Sequence, residues 1–192
     1  MCRSNLKCLR LWRCHLIDDL DQLPIDLVKP LINLTSLSLL GYQLSGKLQS
    51  LHMITQLSDL SLNQCNLNNS DLEVISEFKS LTALNLSGNP ITDLHPIENL
   101  PLEGLYLFNC NKLTQKGFDF VIPTLKKLSI SGCSLIYSLE WLHSFHQLTD
   151  LYANGIKTGT LTCDTIKYLE FNMDVCDDDA DVIDGVEYGQ KV

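Results

Sequence analysis

Eight cysteines and five histidines are the side chains of this sequence most capable of chemistry, and their spacing decides which chemistry is open to them. Structural zinc sites draw on closely spaced thiols and imidazoles. Cys2, Cys8 and Cys14 stand too far apart for that pattern and no C-x-x-C pair occurs, so no metal is expected. His143 and His146 with Asp150 can be drawn as a metal or general-base group, but their i, i+3 spacing falls on an outer arc with no facing nucleophile. No nucleophile, base and oxyanion donors converge anywhere in the chain, which argues against an enzyme and against a cofactor. Asp177, Asp179 and Asp181 alternate as calcium ligands do, yet the glycine and glutamate that a calcium loop requires are out of register.

What remains is positional. Cys14, Cys65, Cys110 and Cys133 occupy one slot of a recurring unit, the slot that Asn89 fills in its clearest copy. A reduced thiol there serves as a small, weakly polar filler of the interior. Cys110 and Cys133 would be stacked neighbours about 5 Å apart, within reach of a disulfide. An intracellular chain keeps its thiols reduced, so all eight are expected free.

The unit that positions these residues is legible in residues 81–91, LTALNLSGNPI, where Leu81, Leu84, Leu86, Asn89 and Ile91 fit L-x-x-L-x-L-x-x-N-x-L. A short strand turns its leucines inward and the asparagine closes the turn that follows. One unit has an apolar side and nothing but its neighbours to bury it against, so copies stack into a solenoid with a shared core. Seven further copies centre on Leu9 and Leu11, Leu37 and Leu39, Leu60 and Leu62, Leu105 and Leu107, Leu128 and Ile130, Leu151 and Ala153, and Leu169 and Phe171. The closing slot holds in turn Cys14, Tyr42, Cys65, Asn89, Cys110, Cys133, Ile156 and Asp174. The position after the slot reads Leu16, Leu44, Leu67, Ile91, Leu113, Leu135, Thr158 and Cys176, with one extra residue in CNKL ahead of Leu113.

The connecting arcs differ in kind. In residues 69–81 Ser70 precedes Glu73 by three and Leu72, Ile75 and Phe78 follow at helical spacing, which predicts a capping box and the best helix of the chain. The proline in ITDLHPIENL predicts an extended or 3₁₀ arc, and Pro24 and Pro30 limit the arc over residues 18–31 to short turns. The last two units are degraded, since Ile156 cannot make the polar bonds of an asparagine and Ala153 underfills its slot.

The bulk properties agree with one globular domain. The chain has 192 residues, 45% hydrophobic and 19% charged, with a formal net charge of -9. Seven acids against Lys191 place -6 of that charge in residues 174–192, whereas the opening stretch is basic through Arg3, Lys7, Arg10 and Arg13. Four basic residues are too few for the broad phosphate-contacting surface of a nucleic-acid binder. Residues 1–14 lack the apolar core of a secretory signal, and no run approaches the length of a membrane-spanning helix, so an intracellular, cytoplasmic or nuclear, location is expected.

Over residues 6–176 these registered copies resemble leucine-rich repeat proteins. Residues 110–133, CNKLTQKGFDFVIPTLKKLSISGC, are similar to the cysteine-containing repeats of F-box adaptors of ubiquitin ligases, and residues 81–100, LTALNLSGNPITDLHPIENL, to the short repeats of phosphatase-regulatory and internalin-like proteins. The acidic end resembles that of acidic leucine-rich nuclear phosphoproteins. The resemblance implies an α/β solenoid: a right-handed coil with a parallel sheet on its concave face and short helical, 3₁₀ or extended convex arcs. It also implies a repeat domain over residues 1–176, its first repeat uncapped, with an acidic tail over residues 177–192.

Function then falls to the strand residues free of core duty, which alternate outward from the leucines. Most are small and polar. Tyr106, Phe108, Tyr152 and Tyr168 form an aromatic group in the C-terminal half, and Trp12 beside Arg10 and Arg13 a second at the start. Exposed aromatics and arginines are typical interface anchors. Ser129 and Ser131, flanked by Lys126 and Lys127, form a gap into which an acidic side chain fits. The sequence therefore reads as a non-enzymatic protein-binding module whose partner contacts Arg10, Trp12, Tyr106, Phe108, Lys127, Tyr152 and Tyr168. Two alternatives are a substrate-recruiting adaptor of a ubiquitin ligase or phosphatase, and a structural part of a longer solenoid.

Overall fold

A peptide that alternates leucine and small polar residues for only a few positions before a turn can form only a short strand, and the sheet consists of such strands. The computed structural model describes residues 5–13, 28, 30–156 and 165–170. Within them one parallel sheet of eight strands runs in chain order: β1 Cys8–Trp12, β2 Ser36–Leu40, β3 Asp59–Ser61, β4 Ala83–Asn85, β5 Gly104–Tyr106, β6 Lys127–Ser129, β7 Asp150–Tyr152 and β8 Tyr168–Glu170. Leu9, Leu37, Leu60, Leu84, Leu105, Leu128, Leu151 and Leu169 stand in one register across it. Each strand is thus placed one repeat above the last, the architecture of a repeat solenoid with its sheet on the concave face. Cys14, Leu16, the arc over 18–27, Thr158, Phe171, Asp174, Cys176 and the tail lie outside the described residues.

The inward leucines of β2–β7 are removed from water almost completely, and one contiguous core runs the length of the stack. Full burial of one such side chain is worth about 1.5–3 kcal/mol. Leu6, Leu9 and Leu11 of the first unit are only partly buried, as expected for the strand with a described neighbour on one side alone.

The arcs follow their sequences, with one correction. Residues Asn69–Ile75 form α1, the only α-helix among the described residues, and bury Leu72 and Ile75. Its cap is not the Ser70–Glu73 pair. Asn68 Oδ1 accepts from the Ser70 amide at 2.9 Å while Asp71 Oδ2 accepts from the Asn68 amide at 2.9 Å. Asp71 wins because its shorter side chain is buried and also accepts from the Gly46 amide at 2.7 Å and the Ser45 hydroxyl at 3.1 Å, tying α1 to the preceding repeat. The proline-bearing arc forms a 3₁₀ turn at His95–Ile97, as its sequence predicts, and another spans Glu140–Ser144.

A second correction concerns the sixth unit. Leu135 is 46% exposed, and Ile136, at 1%, fills the buried slot after Cys133. The extra residue recognised after Cys110 is therefore present after Cys133 as well, and Thr114 and Leu135 of the two widened turns pair in a parallel bridge.

The closing slot behaves as the repeat requires. Asn89 Oδ1 accepts from the Cys65 and Leu67 amides, both at 3.0 Å, and Nδ2 donates to the carbonyls of Leu62 and Leu86 at 2.8 and 2.7 Å. Cys65, Cys110 and Cys133 are buried free thiols that donate to the carbonyls of Leu39, Leu86 and Leu107. Burial pushes the thiols of Cys65 and Cys110 up to about 11 and that of Cys133 to about 12, from the ordinary 9.0. As pH rises above 9 the unfolded chain releases protons that the native state still holds, so stability present below pH 9 declines toward pH 11. Urea midpoints taken across this range should fall less steeply for the Cys65→Ala, Cys110→Ala, Cys133→Ala triple variant than for the wild type. Parallel declines would exclude the thiols as the source.

Candidate protein-binding face

Outward alternation gives the concave face three rows, one each from the residues before, between and after the two core leucines of a strand. The first row runs Cys8, Ser36, Asp59, Ala83, Gly104, Lys127, Asp150, Tyr168. The second runs Arg10, Ser38, Ser61, Asn85, Tyr106, Ser129, Tyr152, Glu170, in the same registers. The third starts at Trp12 and Leu40 and continues just beyond the strand ends through Asn63, Ser87, Phe108, Ser131 and Asn154.

At the N-terminal end Arg10 is exposed and Trp12 is 70% exposed. At the other end the aromatic group divides. Tyr106 ends β5 and Phe108 lies two residues beyond it, while Tyr152 belongs to β7 and Tyr168 to β8. Phe108 is 50% exposed, and its amide is held by the Ser87 hydroxyl at 3.1 Å. The Tyr106 ring folds back along its own strand over Gly104, where a Cβ would come within 3.3 Å of it. Tyr152 and Tyr168 lean together, their ring centroids 5.4 Å apart at 47°.

Lys127 is exposed on β6 and makes no ion pair among the described residues. Lys126 does not flank the serine gap as expected, because it pairs with Glu103 at 3.0 Å. Its position explains this. Where the residue two before a first core leucine carries a hydroxyl, it reaches the carbonyl of its counterpart one repeat earlier, Thr35 to Lys7, Ser58 to Thr35 and Thr82 to Ser58, while the Thr149 hydroxyl donates to the nearer Asp150 carboxylate at 2.6 Å rather than to the Lys126 carbonyl at 3.2 Å. Glu103 and Lys126, two of the residues in that column without a hydroxyl, pair with each other instead. Ser131 is also not free, since its buried Oγ accepts from the Asn154 amide at 3.0 Å. Ser129, whose hydroxyl makes no bond among the described residues, remains as the floor between Tyr106 and Tyr152.

Between β7 and β8 the first and second rows bring acids and tyrosines together. Asp150 stands opposite Tyr168, and Tyr152 opposite Glu170. Glu170 accepts from the Asn154 amide group at 2.9 Å and from the Tyr168 hydroxyl at 3.3 Å. Desolvation and the negative charge of Glu170, with Tyr152 and Asp150 beside it, raise the Tyr168 hydroxyl above the ordinary tyrosine value.

The histidine group does not assemble. His143 lies in the convex 3₁₀ turn with its Nδ1 on the Glu140 carbonyl, whereas Asp150 opens β7 on the sheet. Among the described residues no cluster of three or more His, Cys, Asp and Glu is placed to hold a metal ion, and no helix is long and apolar enough to cross a membrane.

No family model matches the sequence, and no curated protein does either. Solved structures do. Internalin C2 of Listeria monocytogenes superposes with a TM-score of 0.56 at 14% identity, over 76% of this chain and 74% of its own. The internalin InlF of the same bacterium gives 0.47 at 16% identity, over 75% of this chain and 56% of its own. The ectodomain of the Arabidopsis receptor kinase HAESA, solved with a peptide hormone, gives 0.47 at 18% identity, over 86% of this chain and 34% of its own. The chain thus spans little more than half the length of InlF and about a third of the HAESA ectodomain.

Proposed function

We propose that this leucine-rich repeat solenoid is a non-enzymatic interaction module that binds a protein partner on its concave face, in an intracellular setting. The observation that carries the reading is Phe108, a large apolar ring half exposed on a face of small polar residues, with its backbone fixed by Ser87. A rigidly held aromatic buries area on a partner at little cost in side-chain entropy. Tyr106 and Tyr152 flank it toward β7, Lys127 and Ser129 supply polar contacts between them, and Arg10 with Trp12 extends the contact to the far end. The intracellular setting rests on Cys8, Cys65, Cys110 and Cys133 being unpaired thiols.

The test is a pull-down from the source cell followed by titration of the recovered partner against wild type and Phe108→Ala. Truncation should weaken binding by about 2 kcal/mol or more while the melting curve stays in place. A Phe108→Ala variant that binds normally but melts lower makes the residue part of the core. Normal binding and melting, combined with loss of binding on removal of residues 177–192, would move the function to the tail.

An adaptor of a ubiquitin ligase or phosphatase needs a second docking surface. Leu135 and Tyr137, exposed in the widened sixth turn away from the sheet, are the residues that favour this extension of the proposal.

A further inference from the structure

We propose that the partner meets the C-terminal end of the concave face with an arginine, laid against Tyr152 and Tyr168 between the carboxylates of Asp150 and Glu170. The proposal rests on the concave-face reading and names the chemistry of its occupant there. Asp150 and Tyr152 project from β7, and Tyr168 and Glu170 stand opposite them on β8. With strands about 4.8 Å apart and alternate residues about 6.7 Å apart, the four side chains occupy the corners of a small rectangle. The two rings take one diagonal and the two acids the other.

Among the described residues the two acids are bonded by neutral donors alone. Glu170 is bonded by the Asn154 amide and the Tyr168 hydroxyl, and Asp150 by the Thr149 hydroxyl at 2.6 Å; all three donors are neutral. Neither carboxylate has an ion pair among the described residues. Lys126 is committed to Glu103, and Lys127, opposite Asp150 on β6, forms no bridge to it. Lys127 marks the boundary of the site, since a basic anchor placed over Ser129 would meet its charge.

Arginine fits this arrangement better than other side chains. Its guanidinium is planar, weakly hydrated and stacks on aromatic faces, and its donors on opposite edges can serve two acceptors at once. A carboxylate would be repelled, and an ammonium would engage one acid or one ring without bridging.

The experiment pans a random-peptide phage library on the full-length chain, then measures synthetic versions of the selected peptides by fluorescence anisotropy. Selected peptides should share an arginine whose change to glutamine weakens binding about ten-fold, and to lysine about three-fold. Tyr152→Leu should cost about ten-fold and Tyr152→Phe, which keeps the ring, less than about two-fold. Asp150→Asn should cost several-fold and flatten the salt dependence. Peptides that need Phe108 but carry no arginine, or whose lysine and arginine forms bind alike, would overturn this proposal and leave the concave-face reading standing. Peptides indifferent to Phe108→Ala and to every Tyr152 and Asp150 variant would sink both.

Discussion

Asn89→Ala is expected to lower the stability of the solenoid by about 3 kcal/mol or more, the largest effect of any single polar truncation in the chain. The side chain is buried and works on both sides of a turn: Oδ1 takes the amides of Cys65 and Leu67, and Nδ2 reaches the carbonyls of Leu62 and Leu86. Alanine supplies neither donor nor acceptor, so the Cys65 and Leu67 amides and the Leu62 carbonyl lose a partner where water has no ready access, and the Leu86 carbonyl keeps the Cys110 thiol. Each unmet buried group costs about 1–3 kcal/mol, and partial relaxation keeps the sum below three full penalties. Cys65→Ala removes only a thiol donor to the Leu39 carbonyl and should cost about 1 kcal/mol. Asn89→Cys, which keeps a donor and loses the acceptor, should fall between them. Urea unfolding of the three variants orders them; an Asn89→Ala midpoint no lower than that of Cys65→Ala would mean the asparagine does not close the turn.

The same comparison explains how one slot accepts both residues. A cysteine satisfies the carbonyl behind it and is small enough to be buried, so a stack tolerates it at Cys65, Cys110 and Cys133. The paired-amide bonds of Asn89 make the fourth repeat the tightest closure among the described turns.

The strands were legible because core duty leaves no choice: each inward position between β2 and β7 must be apolar and of one size, with Ala153 the one undersized residue. The alternation that buries Leu60 also exposes Ser61, so the location of the binding face came with the strands. What stayed hidden depends on three-dimensional neighbours. Leu135 and Ile136 are both apolar, and only the widened turn decides that the second goes inside. Ser70 and Glu73 have the spacing of a cap, but Asp71 alone lies where the Gly46 amide and Ser45 hydroxyl of the previous repeat meet it. Lys126 looked like part of the face because it adjoins Lys127; its column, otherwise rich in hydroxyls, turns it toward Glu103. The pairing of Asp150 with Tyr168 and of Tyr152 with Glu170 required the register between β7 and β8, and those strands are joined by the shortest repeat of the chain.

The turn after each strand holds a second column that spacing alone did not reveal. Gly41, Gln64, Gly88, Asn109, Gly132 and Gly155 all have positive φ, between 53° and 80°, at the residue before the closing slot. Glycine adopts that conformation freely, and asparagine tolerates it better than most side chains. Gln64 and Asn109 each precede a glycine one repeat on. Their side chains lie where that glycine's Cβ would be: Gln64 Cγ would be 2.8 Å from a Cβ at Gly88, and Asn109 Oδ1 would overlap one at Gly132. Bulk in one repeat thus requires its absence in the next.

Gly132→Ala should therefore cost about 2–4 kcal/mol, from two separable sources. An alanine at φ +73° loses about 1–2 kcal/mol to the left-handed conformation itself. Displacing the Asn109 side chain from a packed turn adds about 1–2 kcal/mol more. Gly155 isolates the first source, since it has a φ of +75° and, among the described residues, nothing within 4 Å of its would-be Cβ. Gly155→Ala should accordingly cost about 1–2 kcal/mol. Asn109→Gly removes the obstacle, so Gly132→Ala made in that background should cost no more than Gly155→Ala. Urea midpoints of the single and double variants close the cycle, with an expected coupling of about 1–2 kcal/mol between positions 109 and 132. Additive losses, or equal costs at Gly132 and Gly155 in the wild-type background, would show that the two turns do not interlock and that backbone conformation alone selects glycine in this column.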